Sequence, residues 1–197
     1  MKVIEQEIHS LKNSISEMWA LVHQQLYNAG EAMLTGDKEL AYKVISRERR
    51  VNAFELKIDS DCEDIVSLYA PEAIDLRFVL AMYKINTNLE RLGDFAESIA
   101  RFAGNLPEGE PIDPQLVKET RVEEMLSELL SMISLTKEAF EKESSEIASR
   151  IFLKDNLIDE INHNSTAIIA KYIEEHKGSA LAGLYMAGVI RKMERFG

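Results

Sequence analysis

The 197-residue sequence is short of several things. Its one cysteine, Cys62, excludes an internal disulfide and a thiolate-rich zinc site. Four prolines and nine glycines are few for the tight turns of an all-β protein, and the deficit favours long helices. Bases are also scarce, with 23 Lys and Arg against 34 Asp and Glu and a formal net charge of -11. That balance argues against a general nucleic-acid binder, which needs a basic surface to displace counterions from phosphates. It equally disfavours electrostatic docking on anionic lipid. Metal cations and basic protein surfaces are the partners such a field attracts. The longest weakly polar run, SALAGLYMAGVI at 179–190, is too short to span a bilayer and reads as a buried helix. The N-terminus, MKVIEQEIHS, has acids where a signal peptide would have its apolar core. The expectation is a cytoplasmic protein with no membrane insertion and no nucleic-acid partner. Hydrophobic residues at 46% and charged residues at 29% are ordinary for a globular chain.

What is present is helical periodicity. From Ile4 the apolar positions run Ile8, Leu11, Ile15, Met18, Val22, Leu26 and Met33, a heptad-like seam along a helix of roughly 45 Å. LTGDKEL breaks it, with Gly36 as a stop and Asp37 as an N-cap. A second helix carries Leu40, Val44, Val51, Phe54, Ile58 and Ile65 on its inner side, and Pro71 suits the first turn of a third that ends near Gly104. Short connections imply antiparallel neighbours, so residues 1–104 read as an up-down-up three-helix bundle. GNLPEGEPIDP holds three of the four prolines and marks a linker at 105–113, ahead of a second bundle at 114–197. Trp19, Tyr42, Phe78, Tyr185 and the methionines are expected to fill core space.

The second half repeats the first. Residues 32–52 align without gaps on 139–159, placing Leu40 on Ile147, Val44 on Ile151 and Glu48 on Asp155. The third helix aligns on the last, with Leu80 on Leu184, Met82 on Met186 and ERLG at 90–93 on ERFG at 194–197. The predicted fold is therefore all-α, two tandem antiparallel three-helix bundles related by an internal repeat.

One stretch, NLERLGDFAESIA at 88–100, breaks local rules. Gly93 costs a helix about 1 kcal/mol relative to alanine, and Glu90 and Asp94 flank it at a spacing that makes them repel. Glu90, Gly93, Asp94 and Glu97 share one strip, placed away from the apolar seam, and Glu48, Asn52, Glu55 and Asp59 form another on the second helix. A bare backbone at Gly93 would let a ligand or a neighbouring helix approach closely. In the second copy Asp155 and Asp159 replace Glu48 and Asn52, and Glu194 replaces Glu90. Two facing acidic strips suit hard cations such as Mg²⁺, Mn²⁺ or Ca²⁺, with iron also possible, whose charge would turn repulsion into coordination. The bland reading is a solvated acidic face.

KINTNLERLGDFAESIA (84–100), with IDLRFVLAMYK at 74–84, resembles the signature of the PhoU family of phosphate-signalling regulators, and the likeness covers nearly the whole chain. The resemblance implies surface metal clusters in each bundle, of iron or zinc, with Mg²⁺ or Mn²⁺ as other occupants, and no catalysis. It implies a cytoplasmic homodimer that restrains the phosphate-starvation response by contacts with the ATPase subunit of a phosphate transporter and with a sensor histidine kinase. Carried over by position, the first bundle's metal ligands would be Glu48, Glu90 and Asp94, with Asn52 where the family usually has an acid. The second bundle's would be Asp155, Asp159 and Glu194, with the sequence ending at ERFG before the expected aspartate and the rest of its helix.

Two other readings compete. A ferritin-like di-metal carboxylate enzyme needs two Glu-x-x-His motifs in one four-helix bundle. Only Glu160 and His163 have that spacing; His9, His23 and His176 follow Gln6, Ala20 and Ile173. The third reading is a metal-free helical interaction scaffold whose acids keep it soluble.

Overall fold

The computed structural model describes residues 3–105 and 112–196. Helix α1 spans Val3–Thr35 and buries Leu11, Ile15, Met18, Val22, Leu26 and Met33, the seam read from the sequence. Gly36, at φ 73°, turns the chain in the left-handed region that glycine enters without strain. Asp37 then caps α2, Lys38–Tyr69, its carboxylate accepting from the Leu40 amide at 2.9 Å. Helix α3 spans Ala73–Asn105. Pro71 lies just ahead of it rather than in its first turn, because Ala70 at φ 44° reverses the chain and the first bond runs from Leu76 N to Glu72 O. Each of α1, α2 and α3 packs on the other two.

The second copy is less regular. Its first helix is split into α4, Pro114–Thr120, and α5, Val122–Glu141. Its middle helix is split into α6, Ser145–Ser149, and α7, Phe152–Glu175; α8, Ala180–Glu194, closes the chain. The first split falls at Arg121, held at φ 55° while its guanidinium binds Glu124 at 2.7 Å and Glu160 at 2.8 Å. Residues 106–111 of the expected linker lie outside the described residues. The linker's far end is fixed, however: Asp113 caps α4 through Gln115 N and accepts a 2.5 Å hydrogen bond from Tyr172 on α7.

The repeat holds for exposure as well as type. Met82 and Met186 are both buried, whereas Leu80 and Leu184 are both exposed. Tyr42 departs from its expected core position at 60% exposure, since Ala41 and Val44 beside it take the inner face of α2. The bundles meet where α1 packs on α5 and α3 on α8. Gly30 permits the first contact, as a Cβ there would lie 2.0 Å from Leu126 Cδ2. Trp19 adds a hydrogen bond to the Ile133 carbonyl and stacks on Phe140. Phe95 on Phe196 and Phe102 against Tyr185 join α3 to α8. Among the described residues no helix is long and apolar enough to cross a membrane.

Candidate metal centre

Helices α2 and α3 run antiparallel, and three contacts fix their register. Asn86 donates to the Glu55 carbonyl at 3.0 Å and to Asp59 Oδ1 at 2.7 Å. Further along, Gly93 faces Val51, and beyond it Glu48 faces Asp94 and Glu97. Gly93 is buried, and a Cβ on it would stand 2.8 Å from Val51 Cγ1. The sequence places this glycine on the polar strip, away from the seam; the fold instead makes it the point where α2 and α3 touch. Its close approach to a neighbouring helix brings the two acidic strips together.

Glu48 sits at the centre of the result. It is 6% exposed, and neither carboxylate oxygen has a hydrogen-bond partner. Burial, then the charges of Asp94, Glu97 and Glu90, push its pKa up to about 7. Glu90 is half-buried and raised by burial first, then by Asp94 and Glu55, and it shares a hydrogen bond with Asp94. Glu55 is raised by burial and then by Asp59 and Asp94. Thus Glu48, Glu90 and Asp94 are brought into one electrostatic cluster.

Asn52 is exposed and makes no side-chain hydrogen bond among the described residues, whereas Glu55 is coupled to Glu90 and Asp94. Helix geometry accounts for the difference. Four residues past Glu48 a side chain has rotated about 40° off its line, while seven residues past it the offset is only about 20°. The spacing from Glu48 to Glu55 is the signal by which sequence reasoning could have preferred it.

Among the described residues the second copy assembles no such cluster. Asp155 lies half-buried in the first turn of α7, Asp159 is exposed one turn on, and Glu194 is the half-buried last residue of α8. No hydrogen bond or ion pair joins these three among the described residues, and His163 is exposed. Asp155 stands in the first turn of a helix that begins after the split at Ile151, where its counterpart Glu48 lies well inside one.

Among the described residues no three His, Cys, Asp or Glu side chains stand ready around one metal position. In the first bundle, though, the donor chemistry fits a cation. A buried carboxylate without hydrogen bonds and surrounded by like charges lacks its counter-charge, an arrangement that is expensive unless a proton or a cation completes it. The clustered donors are all oxygens, which suits Mg²⁺, Mn²⁺ or iron better than zinc.

The PhoU domain family matches residues 15–103 and 122–197. A phosphate-specific transport system accessory protein PhoU homolog from Aquifex aeolicus is 31% identical over 191 residues, 96% of this chain and 84% of that protein. The Escherichia coli accessory protein PhoU is 31% identical over 194 residues, 97% of this chain and 78% of that one. The crystal structure of the phosphate transport system regulatory protein PhoU from Streptococcus pneumoniae superposes with a TM-score of 0.85 at 27% identity, covering 98% of this chain and 89% of that chain. PhoU from Pseudomonas aeruginosa superposes with a TM-score of 0.86 at 25% identity, covering 98% and 90%.

Proposed function

The chain belongs to the PhoU family, and from that membership we propose that it regulates phosphate uptake and phosphate-starvation signalling without catalysis of its own. Its relatives are named as accessory proteins of the phosphate-specific transport system. The partners in this reading are the ATPase subunit of the transporter and a sensor histidine kinase, met in the cytoplasm by a homodimer. The acidic helical surfaces are suited to basic faces on such partners.

The observation that carries the cation part of this reading is the orphaned carboxylate of Glu48. Glu48, Glu90 and Asp94 would be the ligands, with Glu55 and Glu97 at the margin. Rotation of the half-buried Glu90 and the exposed Asp94 toward Glu48 would complete a coordination shell. A bound cation would neutralise part of the first bundle's charge and alter what a basic partner meets. Regulation follows only if a partner prefers one metal state, because an effector with equal affinity for both shifts nothing.

Deleting the gene in phosphate-replete cells should derepress a phosphate-starvation reporter, and affinity-tagged protein should retain the transporter ATPase or the kinase. A silent reporter together with recovery of neither partner would contradict the regulatory reading.

A further inference from the structure

The seam between the bundles carries charge of the opposite sign to the acidic cluster. Beside the stacked rings of Phe95 and Phe196, a cleft of about 430 Å³ is lined by Arg91, Ser98, Lys192 and Arg195, with Asp94 and Glu97 at its acidic side. Glu97 is met by Arg101 at 2.7 Å, and Asp94 is drawn into the cluster with Glu48, Glu55 and Glu90. Arg91, Lys192 and Arg195 take part in no ion pair among the described residues. Lys192 instead donates to the Ser98 hydroxyl across the seam.

Arg91 and Arg195 are counterparts in the internal repeat, so the two copies present the same side chain to one cleft from opposite helices. The negative end of the α8 dipole favours Lys192 and Arg195 in or just after its last turn. It does not account for Arg91, which arrives from α3. Of the acids beside the three cations, Glu97 is met by Arg101 and Asp94 forms no ion pair among the described residues, so the bases of the recess outnumber the acids of its lining and repel one another. An oxyanion would relieve that repulsion, and two guanidinium forks match the paired oxygens of a phosphoryl group.

We propose that the α3–α8 cleft binds a phosphoryl dianion, clamped by Arg91 and Arg195, with Lys192 and Ser98 as further donors. The phosphoryl group is either free orthophosphate or the end of a nucleotide, whose base would lie over the half-buried ring of Phe196. Because its donors come from both bundles, the bound anion ties α8 to α3. Asp94 borders both this cleft and the acidic cluster, so the proposal is made for the metal-free chain.

Calorimetric titration of the full chain, in EDTA and at ~50 mM salt to limit screening, tests it with orthophosphate, AMP and ATP as separate probes. The variants are Arg91→Gln/Arg195→Gln, Arg91→Lys and, outside the cleft, Arg77→Gln, each checked for helicity by circular dichroism. One-to-one binding of at least one probe is expected with a Kd below ~1 mM. The double variant should weaken it at least about tenfold, as loss of charge-assisted hydrogen bonds requires. Arg91→Lys should be intermediate and Arg77→Gln should match the parent. Orthophosphate binding as tightly as the nucleotides identifies the free anion; tighter AMP or ATP binding identifies a nucleotide. Three outcomes would overturn the proposal: no saturable binding of any probe, equal binding by the double variant and the parent, or equal weakening in Arg77→Gln.

Discussion

Glu48 is a carboxyl with 6% of its surface exposed, no hydrogen-bond partner and three acids nearby. Its pKa rises from 4.5 to about 7 on folding, so the folded chain holds this proton more tightly than the unfolded one. Stability from this group is therefore fully present below pH 4.5 and is lost as pH rises through about 7. The metal-free protein should lose up to about 3 kcal/mol across that window, measured by urea denaturation at stepped pH in EDTA. Glu55 and Glu90, also raised, act in the same direction. Glu48→Gln should flatten most of the slope; an unchanged slope would mean Glu48 is ionised in the folded state. At Gly93 the test is steric. Alanine would gain about 1 kcal/mol of helix propensity but drive Cβ to 2.8 Å from a branched side chain with one favoured rotamer. Overpacking of about 1–3 kcal/mol should win and lower Tm by about 2–4 °C. In a Val51→Ala background the same change should be neutral or stabilising.

At the scale of elements, the first bundle was legible because its rules agree with one another. The seam of α1, the stop at Gly36 and the cap at Asp37 all point to the same boundaries, and the structure has them. The breaks in the second copy were not legible. Arg121 has no intrinsic preference for the left-handed region, and its place there is stabilised by Glu160, a residue distant in sequence. The acidic strips were visible from spacing, and so was the closer alignment of Glu55 than of Asn52 with Glu48; how closely Gly93 lets α3 approach Val51 was not. Long-range contacts likewise fix α4. The Tyr172 hydroxyl, raised to about 12 by burial and by its bond to Asp113, ties α7 to the cap of that helix. Tyr172→Phe should destabilise the protein by about 1–2 kcal/mol and speed hydrogen exchange in α4 more than in α1. Equal speeding of exchange in α4 and α1 would show that Tyr172 does not tie α7 to α4.

For the whole molecule, two contacts make a pair of bundles into one body: α1 against α5 through Gly30 and Trp19, and α3 against α8 through one stacked and one tilted pair of rings. Trp19→Ala removes a buried ring together with its hydrogen bond to Ile133, and should cost about 3–5 kcal/mol. With the α1–α5 contact weakened, calorimetry should resolve two thermal transitions where the parent shows one; a single transition in the variant would locate the coupling elsewhere. The net charge of -11 opposes compaction of the whole chain, so a cation in the first bundle would both fill a local vacancy of charge and stabilise the folded state by mass action. The most direct test of that cation is plasma mass spectrometry of protein purified without chelator or histidine tag, beside a Glu48→Gln/Glu90→Gln/Asp94→Asn variant. Iron, manganese, magnesium or zinc should be bound by the parent and lost from the first bundle of the variant. Parent protein that stays metal-free after equilibration with each of these ions would contradict the cation site.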